Sequence, residues 1–279
     1  MHSLFNPFHE IASQCLVKVP AFVAEDTDKA SLVVSTKEDG DPSTAVDILA
    51  EDIACDVLKA LSGQIDFYSE ERGYLIKSNN PEYLIQMDPV DGTYLALRQL
   101  PGSCMAITAF RNGQMKPVCA LVADYYNGDI YWADETGSTL NGKPVHPSNR
   151  KTLREALVST CYGKRSRFGK ILDDPRFIDK TFWISTNGGI LDMVRVATGQ
   201  IDAYLDLMLG YKTYDFSAGA YIAEKAGACV TNEHGEPLIY PEDVNQRCKF
   251  IIAANKELLG EIIQDTVYND QTPLRKSAG

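Results

Sequence analysis

Residues 4–25 carry an apolar pattern at helical spacing, Leu4, Phe8, Ile11, Ala12, Cys15, Leu16 and Val19, which predicts a covering helix whose start and stop are limited by Pro7 and Pro20. Residues 32–35 lead to the charged breakers Lys37-Glu38-Asp39-Gly40-Asp41-Pro42, which turn the chain into a second helix. Ser43 or Thr44 is its expected N-cap and Asp47 lies in its first turn, while Ala45, Leu49, Ile53, Val57 and Leu61 repeat at i+4 as its apolar face. Residues 66–69 form a predicted strand that runs into Glu70-Glu71-Arg72-Gly73. Residues 83–87 have the composition of a buried strand, and Pro89 bars that strand from continuing as a regular ladder. The apolar runs 104–110, 118–125 and 130–133 are separated by Asn112-Gly113 and Asn127-Gly128, the signature of successive antiparallel hairpins.

From residue 151 the rhythm becomes strand and helix alternation. Strands are predicted at 156–160, 182–185, 201–207, 229–231 and 250–254, a helical turn at 178–181, and helices at 190–198 and 256–265. A further helix opens at Asp215 with Ala218, Ile222 and Ala226 on its apolar face, and Gly227 stops it. Residues 1–148 are therefore expected as an α+β half with an antiparallel sheet, 149–267 as an α/β half, and 268–279 as a loose tail.

Composition narrows the functional classes. The chain has 279 residues, 44% hydrophobic and 23% charged, which suits an ordinary globular protein with a sizeable core. No apolar run approaches the roughly 18 residues of a membrane span, and the first residues lack the basic and apolar regions of a signal peptide, so a cytoplasmic location is expected. Seven scattered cysteines without a C-x-x-C pair argue for buried thiols rather than a disulfide framework or zinc knuckle. A formal charge of −11 without a long basic run argues against duplex nucleic acid as a partner, yet such a chain can bind a phosphorylated metabolite through metal ions.

The stretch Asp88-Pro89-Val90-Asp91-Gly92-Thr93 has the chemistry for that. It puts two carboxylates three residues apart at a strand end, Gly92 allows close backbone approach to a ligand, and Thr93 can cap the helix that follows. Free N–H groups at a helix start suit a phosphate, and Mg²⁺ is the usual ion that joins carboxylate, carbonyl and phosphate oxygens.

Taken together, Lys37 to Asp47, Glu70-Glu71, Asp88 to Thr93, and Tyr214-Asp215 followed by Ala218-Gly219 and Glu224-Lys225-Ala226-Gly227 resemble the inositol monophosphatase family. That family's pattern is Lys…Pro-x-Thr-x-x-Asp, an acidic pair, Asp-Pro-Ile-Asp-Gly-Thr, and Trp-Asp before a helix ending in Glu-Ala-Gly-Gly. The resemblance implies a layered α-β-α-β-α sandwich of the sugar phosphatase type, combining α+β and α/β halves with an antiparallel and then a mixed sheet. It also implies a phosphate monoester hydrolase of small phosphorylated metabolites, commonly a homodimer. Two or three Mg²⁺ would be held by Glu70, Asp88, Asp91, Asp215 and the Val90 carbonyl. Thr93, Asp47 and Glu70 would be catalytic, with Thr93 polarised by Asp47. Asp91, Gly92, Thr93, Gly188, Asp206 and Asp215 would contact the substrate.

The chain departs from the pattern at Tyr94-Leu95-Ala96, Tyr214 and Asn187-Gly188-Gly189. The leading substrate is inositol 1-phosphate. Adenosine 3′,5′-bisphosphate, fructose 1,6-bisphosphate and histidinol phosphate are the alternatives within the fold, and a catalytically silent binding relative is the alternative of another class. The basic cluster Lys164-Arg165-Ser166-Arg167 is a candidate second-phosphate site through Lys164, Arg165 and Arg167.

Overall fold

The computed structural model describes residues 2–37, 40–160, 175–185 and 189–270. The chain opens with α1 (Phe5–Glu25), α2 (Thr27–Ala30), β1 (Val33–Thr36), β2 (Pro42–Thr44) and α3 (Ala45–Leu58). Next come β3 (Ile65–Ser69), β4 (Gly73–Ile76), β5 (Tyr83–Asp91), the single-turn α4 (Thr93–Ala96), β6 (Cys104–Arg111), β7 (Lys116–Asp124), β8 (Ile130–Asp134), β9 (Gly137–Leu140) and β10 (Lys143–Pro144). Then follow β11 (Leu157–Thr160), α5 (Pro175–Lys180), β12 (Trp183–Ser185), α6 (Ile190–Ala197), β13 (Ala203–Tyr211), α7 (Ser217–Ala226), β14 (Cys229–Asn232), β15 (Cys248–Ala253) and α8 (Lys256–Asp270).

Strand alternation sorts the core into layers. In the eight-stranded sheet, ordered β10-β9-β8-β7-β6-β5-β3-β4, one face carries Ile85, Met87, Met105, Ile107 and Leu121 against Phe8, Ile11, Val46 and Ala50 of α1 and α3. The other face carries Cys104, Ala106, Ala120 and Val122 against α6 and α7, which also cover Tyr204, Phe250 and Ile252 of the five-stranded sheet β12-β11-β13-β15-β14. The far face of that sheet, with Val158, Leu205 and Ile251, packs on Phe177 of α5 and on Leu258 and Ile262 of α8. The order of layers is α-β-α-β-α, and the second sheet is mixed, with β11 parallel to β12 and β13 and the remaining pairs antiparallel.

Several expectations change. The first helix does not stop at Pro20, because Val19 and Val23 extend the same buried face as Phe8 and Ile11, and α1 continues to Glu25. Pro7 falls in the opening turn, where no N–H donor is needed. The buried face of α3 is Val46, Ala50, Ile53, Ala54 and Leu58, one position on from the predicted stripe, and it carries two acids inward, Asp47 and Glu51. The first sheet is not purely antiparallel, since β3 and β5 pair in parallel from Ile65↔Tyr83 to Ser69↔Met87. Residues 268–270 of the expected tail belong to α8.

The end of β5 is where the fold serves the site. Its pairing with β6 slips between Asp88↔Ala106 and Asp91↔Cys104, so Pro89 sits in a bulge rather than in the ladder. The hydroxyl of buried Tyr125 donates to the Pro89 carbonyl at 2.7 Å and anchors that bulge from beyond β7. Gly92 follows with φ 75, and a Cβ there would lie 3.0 Å from the Gly102 carbonyl oxygen, so only glycine turns the chain here without strain. Gly92, not Thr93, is the N-cap of α4, and the Thr93 hydroxyl is directed elsewhere.

Tyr125→Phe removes the donor and leaves a buried carbonyl unpaired, so it is expected to lower the unfolding free energy by about 1–3 kcal/mol. Urea titration checks this, and an unchanged midpoint would remove Tyr125 as the anchor of the bulge.

Candidate active site

Parallel pairing of β3 with β5 brings the acids together. Glu70 continues that ladder, its N–H donating to the Met87 carbonyl at 3.0 Å, and so stands beside Asp88 at the same sheet end. Asp215 arrives from the other half, in the 3-10 turn Thr213–Asp215 that precedes α7, with Phe216 as the helix N-cap. Tyr214 stacks on Tyr68 with ring centroids 5.9 Å apart, which ties that turn to the end of β3. One carboxylate oxygen from each of Glu70, Asp88 and Asp215 lies within 4.8 Å of the others, a grouping that could hold a metal ion.

These acids are held by backbone donors. Asp88 accepts the Val90 N–H at 3.0 Å, Asp215 accepts the Lys212 N–H at 3.2 Å, and Asp91 accepts the Ile190 N–H at 2.9 Å. Burial, followed by the charges of Glu70, Asp91 and Asp215, pushes the Asp88 carboxyl well above the usual carboxylate range. Asp215 is raised in the same way, by burial and then by Glu70 and Asp91. Burial pushes Asp91 up to about 7, although the Ile190 N–H pulls in the opposite direction. Lys37 answers part of this charge, with Nζ 2.7 Å from Glu70 and 3.0 Å from Glu71. Burial works against the Lys37 ammonium, yet the two glutamates hold its pKa above the ordinary value.

The second half of the arrangement is a hydroxyl relay. Asp47 is buried in the first turn of α3, and its Oδ2 accepts both the Thr44 N–H at 2.8 Å and the Thr44 hydroxyl at 2.7 Å. Its Oδ1 is left for the Thr93 hydroxyl at 2.9 Å, which also lies 3.0 Å from the Val90 carbonyl. A single hydroxyl proton serves one acceptor at a time, and the charged one is the stronger. Thr93 therefore gives its proton to Asp47, which leaves the Val90 carbonyl available for a cation and the Thr93 lone pairs for a water.

Of the predicted site residues, Asp47, Glu70, Asp88, Val90, Asp91, Gly92, Thr93 and Asp215 stand around the end of β5. Asp206 lies on β13 opposite Phe250, buried on the sheet face that Tyr204 turns toward α6 and α7, and is not part of the Glu70–Asp88–Asp215 group. Gly188, Lys164, Arg165 and Arg167 lie outside the described residues. Sequence reasoning missed Glu51, whose side chain is fully buried one turn after Asp47. It accepts the Arg72 backbone N–H at 3.1 Å and pairs with the Arg72 guanidinium, which also reaches Asp52. An acid at i+4 from Asp47 on a buried helix face was the available signal. Gly189 and Ile190 were missed as the backbone that meets Asp91.

The donor set is oxygen only, with acids outnumbering the nearby cations Lys37 and Lys212, which suits a hard divalent ion. The model of the inositol monophosphatase family matches residues 6–271. A fructose-1,6-bisphosphatase/inositol-1-monophosphatase of Methanothermobacter thermautotrophicus is 30% identical over 250 residues, covering 85% of this chain and 88% of that protein. A bifunctional NADP phosphatase/NAD kinase of Methanococcus maripaludis is 30% identical over 260 residues, covering 85% of this chain and 44% of its own length. Among solved structures, the MJ0109 gene product, an inositol monophosphatase-fructose 1,6-bisphosphatase, superposes with a TM-score of 0.77 at 26% identity, covering 92% of this chain and 98% of that one.

The Glu51–Arg72 pair lies two residues from Glu70. Arg72→Ala would leave the buried Glu51 with only a backbone donor and is expected to cost about 3 kcal/mol, more than Glu51→Gln, which removes the charge along with the pairing. Chemical unfolding of both variants checks the order, and equal losses would show that burial of the charge is not the governing cost.

Proposed function

This chain belongs to the inositol monophosphatase family and is a phosphoric monoester hydrolase, and we propose that it is a Mg²⁺-dependent one acting by direct attack of water. The observation that supports this most is the convergence of Glu70, Asp88 and Asp215 oxygens within 4.8 Å beside the Thr93–Asp47 relay. Bound there and at Asp91 and the Val90 carbonyl, two or three Mg²⁺ would supply a water acidic enough to attack near neutral pH and positive charge for the leaving oxygen. Thr93, with its own proton committed to Asp47, accepts or orients the proton of the attacking water. The amides at the start of α4, from Gly92 and Thr93, receive the phosphate oxygens. Glu70 is kept in place by Lys37 and by the backbone ladder, so it needs no rearrangement to act.

We take inositol 1-phosphate or a similar small polyol or sugar phosphate as the substrate, with Asp206 and Gly188 as its further contacts. The names of the two relatives keep fructose 1,6-bisphosphate and NADP on the same panel. Lys164, Arg165 and Arg167 remain the proposed holders of a second phosphate.

Phosphate release from this panel, with Mg²⁺ and with EDTA, tests the reading directly, and release that ignores EDTA would overturn it. Asp91→Asn keeps the shape of the side chain but not its charge, so kcat/KM should fall by far more than tenfold, about 1.4 kcal/mol in activation free energy, while the fold survives. A smaller loss would remove Asp91 from the site. Thr93→Ala and Asp47→Asn should each lower kcat much more than they raise KM, because the relay serves the attacking water. An effect confined to KM would move the pair into substrate binding.

A further inference from the structure

Asp91 stands apart from the tight carboxylate group and is held from the second half of the chain. Its Oδ2 accepts the N–H of Ile190, the first residue of α6, and the Cys104 thiol lies 3.9 Å from the same oxygen. Oδ1 accepts no hydrogen bond among the described residues. This approach depends on residue 189 having no side chain, since a Cβ there would sit 2.8 Å from Asp91 Oδ2, and Gly189 has φ +140.

The start of α6 is itself braced. Asp192, 4% exposed, accepts the Ser159 hydroxyl at 2.6 Å on Oδ2 and Arg195 Nη1 at 2.8 Å on Oδ1. Arg195 Nη2 lies 3.9 Å from Asp124 Oδ2 at the end of β7. One oxygen of this buried carboxylate thus ties α6 to Ser159 of β11, while the other holds Arg195 of the same helix, which reaches on to β7. The Ile190 donor is a rigid one.

We propose that Gly189, the Ile190 N–H and the Ser159–Asp192–Arg195 brace form a positioning device, one that holds Asp91 by Oδ2 and reserves Oδ1 for Mg²⁺. Loading of the metal is then coupled to the seating of α6 on the first sheet. The proposal rests on the Mg²⁺ reading above. A helix-start donor stabilises the carboxylate charge and removes its rotational freedom, and groups that orient a ligand in this way set metal affinity as strongly as many ligands do.

The test uses the full chain without substrate. Mg²⁺ is titrated while the melting temperature is followed, and hydrogen exchange of the α6 segment is measured with and without Mg²⁺. Gly189→Ala should raise the Mg²⁺ midpoint by about tenfold or more, in the range found for groups that orient metal ligands. Ser159→Ala, remote from the metal, should raise it by about threefold as one buried hydrogen bond of the brace is lost. Exchange in α6 should slow on adding Mg²⁺ to the wild type, and not in Gly189→Ala. If Gly189→Ala fails to fold, Ser159→Ala decides. Unmoved midpoints, with only the metal-free melting temperature lowered, would make these residues merely structural and overturn the proposal. A wild type with no Mg²⁺ shift at all would overturn the metal reading as well, so the two failures are distinguishable.

Discussion

Mutual repulsion of crowded carboxylates is the constraint on which the rest of this structure depends. Glu70, Asp88, Asp91 and Asp215 converge where β5 leaves its sheet, with Asp88 buried and the other three half-buried, so solvent screens them only in part. The chain meets this with directed hydrogen bonds to Asp88, Asp91 and Asp215, and with the Lys37 ammonium on Glu70. Val90, Ile190 and Lys212 each turn a backbone N–H toward one acid, and Thr44 does the same for Asp47. Backbone donors are held by the secondary structure around them, so they fix the acids without competing for the outward oxygens as mobile lysines would.

α3 acts as the ruler of this arrangement. Its first turn presents Asp47 to Thr93, and its next turn presents Glu51 to Arg72, two residues beyond Glu70. One helix therefore sets the spacing between the hydroxyl relay and the acids. The buried bulge at Pro89 has a matching role on the sheet side, where the slip in register takes Pro89 and Val90 out of the ladder between the paired Asp88 and Asp91.

Much of this was legible in the chain itself, for reasons that differ by element. Strands with Asn-Gly connections announced the hairpins from β6 to β8, because turn chemistry is local. Asp88 to Thr93 stood out because Pro and Gly limit the backbone to few conformations whatever surrounds them. The parallel pairing of β3 with β5 was not legible, since strand direction is settled by connections and packing rather than by composition. Pro20 was misread because burial of Val19 and Val23 offsets a lost helical hydrogen bond. Glu51 and Ile190 were missed for a shared reason. Their importance lies in partners 21 and 99 residues away, and one of them contributes through its backbone, which carries no side-chain signature.

The same separation in sequence governs how the molecule comes apart and together. The hydrogen bond from Ile190 to Asp91 spans 99 residues, and the Ser217 hydroxyl meets Thr108 across 109. Such contacts demand closure of long loops, a cost met only when the two sheets are brought together around α6 and α7. An ion that recognises the finished constellation has little to grip in a partly folded chain. The hold of an ion bound there as proposed would therefore slow unfolding and leave the rate of folding almost untouched.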